Sequence, residues 1–246
     1  MEDVRNDQNL VNDSVQPLGF MGRLVNIFTN PTKTYESINV APSWILPMVL
    51  MVIITVIITL FTYPIAIETQ LETFRNNPNI VPEQMEAIEN QITGESQKWI
   101  SLGAIIVIMP IVFVIITAIF YLVGSVFLGG DTTFKKLLSA FTWASLISIL
   151  GMIVKLPLVF AKSNPNISLS PALILPSGMM DSTFYKVVSK LDFFSIWYLA
   201  VFAIGFSILY KFSRTKSYVA VFGLWVLWIV VSTVAGGFLQ QFGIAV

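Results

Sequence analysis

Residues 44–67 read WILPMVLMVIITVIITLFTYPIAI, opening on Trp44 and Pro47 and carrying no charged side chain before Glu68. About 20 predominantly apolar residues are enough for one helix to cross the roughly 30 Å hydrocarbon layer. An isolated apolar segment in lipid must satisfy its own backbone hydrogen bonds, which makes helix the economical reading. Four further stretches pass the same test: residues 100–128, 137–160, 193–210 and 218–238. The fold expected is an all-α integral membrane protein, a bundle of five transmembrane helices. The stretch 100–128 is long for a perpendicular helix, about 43 Å, and predicts tilt or a bend near Pro110.

Composition supports the same class. Of 246 residues, 55% are hydrophobic and 11% charged, against about 25% charged in soluble domains. This excludes an ordinary soluble globule and a disordered chain. Basic and acidic residues balance at 14 each, so no bulk positive field marks nucleic acid as a partner. Cysteine and histidine are both absent. That removes disulfides, thiol nucleophiles, imidazole bases and zinc-type sites, and no cofactor is expected.

Residues 1–43 are polar with scattered charges and read as a cytoplasmic segment with an interfacial helix, without a signal-peptide pattern; residues 44–246 form the membrane domain. Lysine and arginine set the orientation. With the N-terminus inside, eight fall on the cytoplasmic side, five of them in two very short loops (Lys135, Lys136, Lys211, Arg214, Lys216). Five are spread over the two long outer loops. The layout expected is N-in and C-out.

The spans hold no Asp or Glu, and Lys155, near the outer end of the third span, is their one charge. A lysine there is expected to snorkel to the headgroups. Without intramembrane carboxylates the chain lacks the usual coupling sites of ion-driven carriers, while an uncoupled pore stays open. Small residues recur at helical spacing: Ala140, Ala144 and Ser148 in the third span, Ala203 and Ser207 in the fourth, Ser232 and Gly236 in the fifth. Such spacing lets helix backbones approach closely and marks these as helix-packing candidates. The loop from Glu68 to Lys98 carries six acids against two bases and predicts a helix opening at Pro82-Glu83 and ending at Gly94. That helix folds onto its own bundle or serves as a ledge for a partner. The second long loop predicts an amphipathic helix with Phe184, Val187, Val188 and Leu191.

Several short motifs occur in order along the chain. Phe28-Thr29-Asn30-Pro31 is followed by Trp44-Ile45-Leu46-Pro47; then come Gly129-Gly130 with Phe134, and Asp192-Phe193-Phe194 with Trp197. With five spans, this order resembles the Yip domain family, named for interaction with Ypt/Rab GTPases. An Asp-Leu-Tyr-Gly-Pro type motif is absent, so the chain is similar to the shorter bacterial branch, which implies a place in the bacterial plasma membrane. Some members of that branch are accessory subunits of ABC exporters. The resemblance thus implies a non-enzymatic accessory or assembly protein whose partners are the lipid bilayer and an ABC permease or adaptor subunit. An independent permease or pore, and a trafficking-type scaffold as in eukaryotic members, are the alternatives.

Overall fold

The computed structural model describes residues 16–77, 80–179 and 182–241. These residues form helices and turns, with no strand among them. Two short helices come first, α1 (Phe20–Thr29) and α2 (Pro31–Val40), then α3 (Ile45–Arg75). After α4 (Pro82–Thr93), α5 (Glu95–Leu122) runs on into a π turn at Val123–Phe127. The remaining helices are α6 (Phe134–Lys162), α7 (Thr183–Ser189), α8 (Phe193–Tyr210) and α9 (Arg214–Gln241). Among the described residues five helices, α3, α5, α6, α8 and α9, are long and apolar enough to cross a membrane.

Helix ends run past the apolar windows because adding a turn to a formed helix costs little. α3 continues through Pro64 to Arg75, whose guanidinium reaches Glu68 at 3.1 Å and Glu89 of α4 at 3.1 Å. Both pairs are exposed and contribute little energy. They nonetheless mark α4 as folded back beside α3, with Leu71 and Ile92 buried between. In α5 the helix passes through Pro110, and its hydrogen-bond pattern changes further on, at the π turn.

The centre of the molecule is α6 against α8. Over their most apolar windows 39% and 56% of residues are buried, against 17% for α3 and 11% for both α5 and α9. Lipid tails are as apolar as leucine, so dispersion and shape hold this interface. Phe141 of α6 meets Phe202 of α8 edge-on at 5.3 Å, and Phe120 of α5 meets Phe202 at 4.9 Å. Such ring pairs add about 0.5–1.5 kcal/mol each beyond their area.

Glycines supply the recesses into which rings fit. A Cβ on Gly205 would lie 2.5 Å from the Tyr35 ring, and one on Gly151 2.6 Å from Phe194. Through Tyr35 the α1–α2 pair belongs to the core; Ile27, Tyr35 and Ile38 are fully buried. Further ties come from Trp143 Nε1, donating to the Ser43 carbonyl at 2.8 Å, and Lys136 Nζ, donating to Asn39 Oδ1 at 2.9 Å. The polar N-terminal segment therefore contains two packed helices, of which sequence reading gave one interfacial helix.

Candidate functional site

α8 has 18 residues and α6 has 29. The N-terminus of α8 therefore meets α6 two turns below the end of that longer helix, at Lys155. Asp192 caps α8 there. Its Oδ1 accepts the backbone N–H of Phe194 at 3.0 Å and of Ser195 at 3.4 Å, satisfying donors that a helix start leaves unpaired. Its Oδ2 accepts the Leu169 N–H at 2.8 Å, lies 3.2 Å from the Ser168 hydroxyl, and pairs with Lys155 Nζ at 2.8 Å. The Phe193 N–H donates to the Leu169 carbonyl at 3.1 Å. One carboxylate thus joins the long α6–α8 loop, the start of α8 and the flank of α6.

The structure gives Lys155, expected to snorkel to the headgroups, a defined partner. Its side chain is 21% exposed and its ammonium is bound to Asp192. A carboxylate held at 2.8 Å by the start of α8 supplies the counter-charge that headgroups would otherwise offer.

Beside the pair lies a cavity of about 360 Å³ lined by Lys155, Lys190, Asp192, Tyr198, Trp225 and Trp228, among others. Lys190 lies in its wall, its Nζ donating to Ser232 Oγ at 2.6 Å and reaching Thr233 Oγ1 at 3.4 Å on α9. Burial lowers the Lys190 pKa from its ordinary value. For Asp192, burial pushes upward, but the Lys155 hydrogen bond and charge, with the Leu169 and Ser195 N–H groups, outweigh it and hold the carboxyl below its usual value. Asp192 is therefore ionised at neutral pH with both oxygens occupied, and the arrangement latches a loop. Among the described residues no cluster of three or more Asp, Glu, His or Cys could hold a metal ion.

The depressed carboxyl makes stability depend on pH with a definite sign. Stabilisation from the pair is present above the unfolded carboxyl value near 4 and is lost as pH falls through the lower folded value. Thermal unfolding in detergent should therefore show this contribution constant from about pH 8 to 5 and declining below about pH 4. In an Asp192→Asn variant that decline should be smaller; an equal decline in both proteins would place the acid-sensitive group elsewhere.

The other motif residues take structural posts. Asn30 ends α1 and accepts the Lys33 N–H at 3.4 Å, with Pro31 at the first position of α2. Trp44 packs against the core, and Pro47 lies in the first turn of α3, where its missing N–H costs nothing. Gly129 has φ +68°, in the left-handed region, and the Gly130 N–H closes the π turn on the Gly124 carbonyl at 2.9 Å. A Cβ on Gly130 would meet Phe212 and Tyr210 at 2.5 Å. Phe134 stacks edge-on with Tyr121 at 5.9 Å, and Trp197 lies 6.2 Å from Phe28 of α1. Asp192 alone of these joins a polar cluster lining a cavity.

The small-residue candidates separate. Ala140, Ala144 and Ala203 are fully buried and Ser207 nearly so, while Ser148 is half-buried. Ser232 serves as the Lys190 acceptor, and a Cβ on Gly236 would meet nothing within 4 Å, so Gly236 provides no close approach among the described residues. Sequence reading missed the Lys155–Asp192 pair because its members lie 37 positions apart. The available signal was a lone intramembrane lysine and an Asp at a span start.

The sequence model of the Yip1 domain matches residues 25–236. The chain is also 27% identical over 186 residues to "Membrane protein YknW" of Bacillus subtilis (strain 168), covering 74% of this chain and 76% of the relative. No solved structure matches the chain. With the family match extending from α1 to α9, the chain belongs to the Yip1 domain family.

Proposed function

We propose that this protein is a non-enzymatic accessory or assembly subunit of the bacterial plasma membrane that binds laterally to a larger membrane complex. An ABC-type exporter is the class implied by the resemblance to the bacterial branch. The carrying observation is how burial is distributed: the α6–α8 centre is packed and latched, while α5 and α9 each leave most of their apolar surface open to lipid or to a partner helix. Val112, Ile115 and Ile119, at i, i+3 and i+7 on α5, are all exposed and form one such stripe.

Orientation belongs to the same proposal. Lys136, Arg214 and Lys216 reach Asn39, Thr32 and the Leu128 carbonyl, so these bases gather on the face carrying α1 and α2. Their concentration there supports N-in and C-out. The acidic α4 ledge, with Glu83 and Glu86 exposed, then lies outside.

Photo-crosslinking amino acids at Val112, Ile115 and Ile119 test the reading in native membranes. The expected result is a discrete adduct with one other membrane protein, stronger on this stripe than at the buried Phe120. Crosslinks to lipid alone at all three positions would contradict it.

A further inference from the structure

At the other end of α6 from the latch, a cavity of about 520 Å³ lies where α3 and α6 both begin. Its lining includes Leu18, Phe20, Arg23, Ser43, Leu46 and Lys135. Arg23 is 4% exposed. Its Nε donates to Ser37 Oγ at 3.0 Å, Nη1 to Ser43 Oγ at 2.6 Å and Nη2 to the Ser37 carbonyl at 3.2 Å. The same Ser37 Oγ accepts the Leu18 N–H at 2.7 Å. All of these partners are neutral, and among the described residues Arg23 forms no salt bridge.

A guanidinium stays charged in any protein environment, and burying it without a counter-charge is costly. Lys135 adds a second positive charge at the rim, and among the described residues no carboxylate appears in the lining. The remaining walls are apolar, and exposed Ile45, Leu46 and Val49 continue that surface down α3. The volume falls in the range of small-molecule sites. The occupant that matches is anionic at one end and apolar at the other.

We infer that this cavity binds the phosphate headgroup of an anionic phospholipid, with Arg23 and Lys135 on the phosphate and Leu18, Phe20 and Leu46 along the upper acyl chain. A soluble phosphate ester offers the same charge without the tail, so the two sources are separable. The site stands independently of the accessory-subunit reading.

The test uses the full chain in mild detergent, titrated with phosphatidylglycerol, phosphatidylcholine or glycerol phosphate. Native mass spectrometry reads retained lipid, and the thermal midpoint reads stabilisation. Phosphatidylglycerol should be retained and raise the midpoint, with phosphatidylcholine weaker and glycerol phosphate without effect at equal concentration. Lys135→Glu should reduce phosphatidylglycerol retention at least about fivefold. Lys33→Glu, on exposed α2 surface outside the cavity, should leave it unchanged. Arg23→Gln should abolish retention if it folds; Lys135, being exposed, decides the matter if it does not.

Equal losses from the Lys135 and Lys33 variants would show diffuse charge attraction and overturn the site. Protection by glycerol phosphate as strong as by lipid would assign a soluble anion instead. Lipid binding that appears only after removal of residues 1–15 would make that segment, with Glu2, Asp3, Asp7 and Asp13, the occupant and overturn the lipid assignment.

Discussion

Asp192→Asn should destabilise the folded protein by about 3–5 kcal/mol, the usual cost of removing one partner from a buried ion pair. Asparagine keeps one oxygen for the α8 cap but turns an amide NH2 toward the Leu169 N–H and Lys155, so the change removes the charge together with the Leu169 acceptor. What remains is a lysine ammonium, 21% exposed, beside Tyr198 and Trp225 with no counter-charge among the described residues. Lys155→Met should cost less, about 1–3 kcal/mol, because the carboxylate keeps the Phe194, Ser195 and Leu169 N–H groups and the Ser168 hydroxyl. The double variant Lys155→Met with Asp192→Asn should be more stable than Asp192→Asn alone, since no unpaired charge is left. Unfolding in detergent by heat or denaturant measures all three. Single losses that add within about 0.5 kcal/mol would show that the pair does not couple.

A leucine at Gly205 is the second large effect. Its Cβ alone would sit 2.5 Å and 2.7 Å from ring atoms of Tyr35. Tyr35 is fully buried, so the ring has no free space into which to swing. Overpacking of this kind costs about 1–3 kcal/mol and occasionally more. The cost should fall on the docking of α2 against α8, because Tyr35 is the side chain that must leave. Limited proteolysis should then cut after Arg23 and Lys33 much faster than in the wild type, while the α6–α8 core stays protected. Tyr35→Ala added to Gly205→Leu should restore part of the protection by making room. Unchanged cleavage in Gly205→Leu would mean that the α1–α2 pair is not held by this recess.

The spans were legible because each carries its signal locally: a run of apolar residues bounded by Trp44, Lys162 or Arg214 needs no tertiary information. The α4 helix was equally local, from Pro82 at its first position to Gly94 at its end. Packing was less legible. Spacing marked alanine and serine stripes; of these Ala140, Ala144 and Ala203 are fully buried. The closest approaches, however, pair a glycine with an aromatic ring from another element, as Gly205 with Tyr35 and Gly151 with Phe194. Nothing local announces such a pair. The same holds for Lys155 and Asp192, which meet because two helices of unequal length share one end, and for Arg23, whose serine partners come from the turn and helix that follow it. The π turn at Val123–Phe127 was hidden for a similar reason: the Tyr121 carbonyl is met by the Tyr210 hydroxyl at 3.4 Å, a partner 89 positions away.

In the proposed role the chain works as one part of a membrane complex. Affinity purification of the full chain from its native membranes in mild detergent, with mass spectrometry of what co-elutes, tests it most directly. Stoichiometric recovery of an exporter permease or adaptor through size exclusion is the predicted result. Recovery of this chain alone, stable and accompanied only by lipid, would contradict the account and point to an independent membrane activity.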